Sequence, residues 1–205
     1  YLNLSRNPII VEAAQKIMSS EGVGAGASRL ITGSRQIHQE LEIALADWIG
    51  QESALLFPSG FQANIAAVIA LANRHTTTFA DRLIHHSLLV GVQASGSKLK
   101  RFEHNNLSHL EECLIEHLKN HSKEKPLVIT ESLFSMEGSS PEIQKIVELC
   151  EKYEAKLLVD EAHALGIMGK EGRGLCYGFS KKINIISGTF GKAFGSGGAF
   201  LASNS

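Results

Sequence analysis

The chain has 205 residues, a formal net charge of −1 and 43% hydrophobic residues, which suits one domain with a well-buried core. So even a balance of charge gives no electrostatic footprint for nucleic acid or a membrane surface, and no apolar run is long enough to cross a bilayer. Three cysteines (Cys113, Cys150, Cys176) lie far apart without a CxxC spacing, and the nine histidines form no HExxH. A disulfide framework and a metal site are therefore not expected, and a reducing, cytoplasmic compartment is the default. No signal peptide is visible. The chain opens at Tyr1 instead of methionine and stops just past an apolar stretch, so it reads as part of a longer protein.

Asn7-Pro8 places a capping residue before a proline at the first helical position, and a helix is expected to about Ser19. A glycine-rich loop follows, from Gly22 to Arg29. Ser34 starts a second helix with Ile37, Leu41, Leu45 and Trp48 on one face, ended by Gly50. Ser53 to Phe57 reads as the first strand. Pro58-Ser59-Gly60 turns into an alanine-rich buried helix from Phe61 to Ala72. Strands and helices then alternate. Thr77 to Ala80, Lys98 to Phe102, Leu127 to Thr130, Lys156 to Val159, Ile183 to Ser187 and Gly198 to Ala202 read as strands. His86 to Ser95, a capping box at Ser108-His-Leu-Glu111 running to Lys119, and Ser140-Pro141 to Tyr153 read as helices. The charged run from Lys119 to Lys125 reads as a solvated loop. Alternation with continuous apolar strands predicts an α/β fold, a mostly parallel sheet with helices on both faces. Residues 1–50 read as an N-terminal helical segment and 51–205 as the α/β domain.

In open α/β sheets ligands sit at the carboxyl ends of strands. Those ends carry Gly60 and Phe61, Asp81 to His85, Ser135, Asp160 and His163, and Thr189 and Lys192. Lys192 stands in a run of small residues, Ser187 to Gly198, between two apolar segments. Such a lysine is either placed for chemistry or is a surface residue of a hairpin loop. Asp160 ends a buried strand, where an acid is costly unless paired. A cationic ring nitrogen would pair it, with His163 donating to the same ligand; the alternative is a helix-capping aspartate with an incidental histidine. The pieces fit one cofactor, pyridoxal 5'-phosphate. It needs a lysine to hold it as an imine, a carboxylate to keep its ring nitrogen protonated, and a phosphate cradle. Ser59-Gly60-Phe61 at a helix start supplies the cradle, unless it is merely a turn. The hydroxyls of Ser135 and Thr189 add donors, and flat His85 stacks on the ring. Two nucleotide readings fail. Gly191-Lys192 is followed by Ala193 and lacks the first Walker glycine, and the Gly22-Val-Gly24-Ala-Gly26-Ala27 match to a dinucleotide fingerprint follows a helix where a strand is required.

Together the motifs resemble the pyridoxal-phosphate-dependent α-oxoamine synthases. The resemblance runs along essentially the whole chain. It rests on Gly26-Ala-Ser-Arg-Leu-Ile-Thr-Gly33, His38-Gln-Glu-Leu-Glu42, Ser59-Gly-Phe-Gln-Ala-Asn64, Asp81-Arg-Leu-Ile-His85, Glu131-Ser-Leu-Phe-Ser-Met-Glu-Gly138, Val159-Asp-Glu-Ala-His-Ala-Leu-Gly166 and Gly188-Thr-Phe-Gly-Lys-Ala-Phe-Gly195. It implies the large domain of a fold-type I pyridoxal-phosphate transferase. Lys192 would hold the cofactor as a Schiff base and later remove the substrate α-proton. Asp160 would pair with the ring nitrogen, His163 with the phenolic oxygen, and His85 would stack on the ring and touch the substrate. Gly60 and Phe61 through their backbone, and Ser135 and Thr189 through their hydroxyls, would complete the cofactor site. The implied reaction is decarboxylative condensation of an amino acid with an acyl thioester. The wording around Lys192 looks most like the members that join L-alanine to a pimeloyl thioester, carried by CoA or a carrier protein, in biotin biosynthesis. A sister enzyme joining glycine to acetyl-CoA is the alternative.

Family members are homodimers with active sites at the subunit interface, and they carry a further C-terminal small domain and a longer N-terminal segment. Neither is evident here, and the N-terminal arginine that binds the substrate carboxylate has no counterpart. Outside the family, a nucleotide-binding module and a non-catalytic relative stay open as alternatives. Lys192, Asp160 and His163 together argue against the latter.

Overall fold

The computed structural model describes residues 1–119 and 125–204. The elements follow the expected order: α1 (Pro8–Glu21), α2 (Gln36–Ile49), β1 (Ser53–Phe57), α3 (Gly60–Leu71), β2 (Thr77–Asp81), α4 (His86–Ser95), β3 (Lys98–Phe102), α5 (Leu107–Lys119), β4 (Leu127–Glu131), α6 (Ile143–Lys152), β5 (Lys156–Asp160), β6 (Ile185–Thr189) and β7 (Ala199–Ser203). The seven strands form one sheet in the order β1-β7-β6-β5-β4-β2-β3. Pairs β2–β3, β2–β4, β4–β5 and β5–β6 are parallel, while β7 runs against both β6 and β1.

Strand periodicity divides the core between the two faces. Val128, Leu157 and Val159 bury with Leu110, Leu114, Ile146 and Val147 of α5 and α6. Their neighbours Leu127, Ile129 and Leu158 bury on the opposite face with Ala67, Val68, Leu88 and Val92 of α3 and α4. Alternate side chains of a strand point to opposite faces, so a sheet covered on both sides needs strands apolar at every position. The α/β expectation is borne out. α6 buries Ile143, Ile146, Val147 and Cys150, an i, i+3, i+4, i+7 spacing along one stripe. Helices α3 and α4 touch at Gly91, where a Cβ would lie 2.9 Å from Val68 Cβ and 3.2 Å from Ile65 Cα.

Several boundaries differ from the expectation, each because a different group makes the cap. α5 is opened by Asn106, whose Oδ1 accepts the His109 N–H at 3.0 Å, and not by Ser108. α2 begins at Gln36 after Arg35, whose N–H donates to His38 Nδ1 at 3.2 Å. Ser140 donates its hydroxyl to the Ser132 carbonyl at 2.6 Å and holds the β4 loop, so α6 starts later, at Ile143. β6 starts at Ile185, because the Ile183 N–H closes the turn onto Ser180. The run expected as a solvated loop between Lys119 and Lys125 lies outside the described residues. Among the described residues no helix is long and apolar enough to cross a membrane, and no group of three or more His, Cys, Asp or Glu is placed to hold a metal ion.

Candidate active site

The parallel strands β4, β5 and β6 end together, and their ends form one wall of a cavity of about 180 Å³. Glu131 ends β4 opposite Asp160, which ends β5. Ser187, Gly188 and Thr189 finish β6. The opposite wall is the start of α3, with Gly60, Phe61 and Asn64, and the start of α4, with His85 and Ser87. Gly188 is required by packing: a Cβ there would come within 2.5 Å of both Leu165 Cδ1 and Phe200 Cζ.

Lys192 reaches the cavity from the hairpin joining β6 to β7. Backbone bonds from Phe190 to Gly198 (3.0 Å), Ser196 to Phe190 (2.9 Å) and Gly195 to Lys192 (3.1 Å) shape that turn. Gly195 takes φ 65°, and a Cβ there would meet Ser5 N at 2.4 Å, so the turn packs against the chain's first residues and glycine is needed twice over. The Lys192 Nζ lies 2.6 Å from His163 Nε2, and His163 Nδ1 lies 2.6 Å from the Tyr1 hydroxyl. Burial lowers the Lys192 ammonium below its ordinary value, against the opposing charges of Asp160 and Glu131. Burial, then the Lys192 charge, also lowers His163. Both shifts enlarge the neutral fraction, and a neutral amine is the form that attacks a carbonyl.

Asp160 is 6% exposed. Its Oδ1 accepts the Ala162 N–H at 2.9 Å and its Oδ2 accepts Asn64 Nδ2 at 2.8 Å. Glu161, the next residue, points away and takes the N–H groups of Leu175 (2.8 Å) and Cys176 (3.1 Å), which fixes the following loop. Among the described residues no cation touches Asp160. A buried carboxylate facing a cavity with only neutral donors fits a cationic ligand atom such as a protonated ring nitrogen. Glu131 is held differently. Burial, then the charge of Asp160, pushes its carboxyl up to about 8, so it keeps its proton at neutral pH. Its Oε1 accepts the His85 N–H at 2.6 Å. The β2–α4 turn that delivers His85 is pinned by buried Asp81, which accepts Leu83 N–H at 2.9 Å and Asn105 N–H at 2.8 Å and pairs with His104 Nδ1 at 2.9 Å.

At the start of α3 the Ser59 hydroxyl accepts the Gln62 N–H at 3.3 Å. The N–H groups of Gly60 and Phe61 belong to the first turn, which has no helical acceptors. They and the helix dipole make an anion site. Thr189 stands beside it, with its Cβ 3.7 Å from where a Gly60 Cβ would be. The Thr189 hydroxyl donates to the Gly198 carbonyl at 3.1 Å and accepts the Gly191 N–H at 3.2 Å.

Seven of the eight site residues expected from the sequence line this cavity: Gly60, Phe61, His85, Asp160, His163, Thr189 and Lys192. Ser135 does not; it is exposed in the loop between β4 and α6. Asn64, Ser87, Glu131 and Ser187 line the cavity and were not anticipated. Two of these carried a signal. Glu131 is an acid at the end of a buried strand, the same feature that marks Asp160, and Asn64 is one of two amides, with Gln62, in an otherwise apolar helix, four residues after Gly60. The residues fit pyridoxal phosphate. The fit rests on the cation-free carboxylate of Asp160, the amine of Lys192 with its proton affinity lowered by burial, and the anion site at Gly60.

The chain belongs to the aminotransferase class I and II family, whose model matches residues 1–205. Within it, the resemblance read from the motifs is borne out. The chain is 44% identical over 205 residues to a putative 8-amino-7-oxononanoate synthase of Bacillus cereus (strain G9842), covering 98% of this chain and 51% of that protein. It matches the structure of a serine palmitoyltransferase variant from S. paucimobilis with a bound PLP–myriocin aldimine, with TM-score 0.93 and 31% identity over 100% of this chain and 51% of that one. It also matches an 8-amino-7-oxononanoate synthase from Francisella tularensis, with TM-score 0.82 and 32% identity over 99% of this chain and 56% of that one. The chain thus spans about half the length of the relatives it matches.

Proposed function

We propose that this chain is the cofactor-binding large domain of a pyridoxal-phosphate-dependent acyltransferase of the α-oxoamine synthase kind. In this reading it joins L-alanine to a pimeloyl thioester to give 8-amino-7-oxononanoate, carbon dioxide and free CoA. The observation that carries it is the convergence of Lys192, His163, Asp160 and the Gly60 helix start on one cavity. The cofactor, when bound, supplies an electron sink for the carbanion formed at the substrate α-carbon. Each residue then has a defined part. Asp160 keeps a proton on the ring nitrogen, which makes the sink effective. His163 donates to the ring's phenolic oxygen. Gly60 and Phe61 bind the phosphate with their N–H groups, and Thr189 is assigned to it through its hydroxyl, while Ser135, which lies outside the cavity, takes no part. His85 covers the ring face. Lys192 is the covalent anchor and the base that takes the α-proton, a task helped by its lowered proton affinity. A homodimer in the cytoplasm belongs to the same reading.

The serine palmitoyltransferase match favours a second reading, a sister synthase with a different amino acid, such as L-serine; glycine with acetyl-CoA is the other sister reading. The two separate by titrating the full-length protein, loaded with pyridoxal phosphate, with L-alanine, glycine and L-serine while recording the visible spectrum. Saturation at the lowest concentration with L-alanine supports the first reading. Tighter saturation with glycine or serine replaces it with the second.

A further inference from the structure

Asn64, Ser87 and Asp160 form a continuous hydrogen-bonded line that ends on His85, and the donors along it can be assigned. The two oxygens of Asp160 only accept when ionised, so the Asn64 atom 2.8 Å from Oδ2 is its amide nitrogen. The other hydrogen of that nitrogen points to Ser87 Oγ at 2.9 Å. Ser87 Oγ is thus an acceptor toward Asn64, and its own hydrogen turns to the remaining neighbour, His85 Nδ1, at 2.7 Å. The Ser87 backbone N–H points at the same nitrogen from 3.3 Å. His85 Nδ1 therefore accepts, and in the neutral ring the proton sits on Nε2. Nε2 has no protein partner among the described residues, and His85 lines the cavity. Asn64 is 4% exposed and Ser87 0%, so water does not compete for the bonds from Asn64 to Ser87 and Asp160. The Asn64 Oδ1 is buried without a partner. The amide is thus oriented by what it donates to, chiefly the carboxylate of Asp160.

We propose that Asn64 and Ser87 are positioning residues that lock His85 in the Nε2–H tautomer, with the charge of Asp160 setting the direction of the line. Either substitution, or loss of the Asp160 charge, frees Nδ1 to take the proton. The ring then offers a lone pair to the cavity in place of a donor. One element thereby ties the residue that pairs with the cofactor's ring nitrogen to the ring that covers the cofactor, so the site presents a donor toward an acceptor oxygen of the bound amino acid. This deepens the reading given above and rests on it for the identity of the ligands. The tautomer itself does not.

The test is nitrogen-15 NMR of full-length protein carrying labelled histidine, first without cofactor, with the His85 signals assigned by their loss in His85→Gln. Wild type is expected to show Nε2 protonated and Nδ1 as an acceptor. Ser87→Ala and Asn64→Leu, both near-isosteric, are expected to shift His85 toward the Nδ1–H form while leaving the His163 signals in place. Asp160→Asn is expected to do the same from three hydrogen bonds away. In the loaded enzyme Ser87→Ala should lower kcat by about tenfold, the worth of one strong hydrogen bond, with cofactor affinity unchanged. An Nδ1–H ring in wild type overturns the proposal without any variant. So does a His85 tautomer identical in wild type, Ser87→Ala and Asn64→Leu. Absence of a cofactor spectrum would instead count against the proposed function, and leaves the tautomer result to be judged separately.

Discussion

Replacing Glu131 by glutamine removes a charge that the fold opposes and keeps the oxygen that accepts the His85 N–H at 2.6 Å. Burial, followed by the charge of Asp160, lifts the Glu131 carboxyl from 4.5 to about 8, against the pull of His85 N–H and Lys192. The unfolded chain loses this proton near 4.5 and the folded chain near 8, so in between the folded state binds a proton that the unfolded state has released. Stability must then fall as pH rises through that window. At about 1.4 kcal/mol per pH unit the full window amounts to roughly 4–5 kcal/mol. Glu131→Gln has no proton to lose. Its advantage over wild type is expected to grow from near zero at pH 4.5 to roughly 4–5 kcal/mol by pH 8.5. Urea unfolding of the cofactor-free, full-length protein, followed by far-UV circular dichroism across pH 5 to 9, reads the difference. Parallel pH profiles, or a variant less stable than wild type at pH 8.5, would show that Glu131 is ionised in the fold and would refute the reasoning.

Gly188→Ala forces a Cβ to within 2.5 Å of Leu165 and Phe200, and is expected to cost about 1–3 kcal/mol in thermal or denaturant unfolding; an unchanged Tm contradicts it. Asp81→Ala leaves two backbone N–H groups and His104 without their buried acceptor, a loss of roughly 3 kcal/mol that the same unfolding assay detects. The rate at which pyridoxal phosphate attaches to Lys192 should rise with pH through an inflection below 10.5, because burial lowers that amine. Asp160→Asn should move the inflection lower still, since the Asp160 charge holds the ammonium up. A stopped-flow pH series in which the Asp160→Asn midpoint moves upward contradicts this assignment.

Much of the fold was legible because its signals are local. Continuous apolar strands alternating with helices give a two-faced sheet, and Gly50 ends α2 at φ 79° as a glycine stop should. What the sequence hid was set by distant partners. Nothing near Ser108 reveals that Asn106 makes the α5 cap, and nothing in β7 shows that it also pairs with β1, about 150 positions earlier in the chain. The site divides in the same way. Residues at strand ends, such as Asp160, Thr189 and Lys192, could be placed because the parallel sheet brings its carboxyl ends together. Asn64 and Ser87 could not. Their roles depend on hydrogen bonds that cross 96 and 23 positions of sequence. Glu131 carried the same signal as Asp160, but its elevated proton affinity comes from the three-dimensional pairing of their strands. Ser135 follows a strand end by four residues, and the β4 loop, tied by the Ser140 hydroxyl to Ser132, leaves it exposed outside the cavity lining.

The central claim is that Lys192 is the covalent anchor of pyridoxal phosphate in this cavity. The direct measurement is to load the full-length protein with the cofactor, reduce with borohydride and map the modified peptide by mass spectrometry. The account predicts one cofactor per chain, carried on Lys192 and absent from folded Lys192→Ala. A folded wild-type protein that carries no label, or carries it on another lysine, would contradict the account.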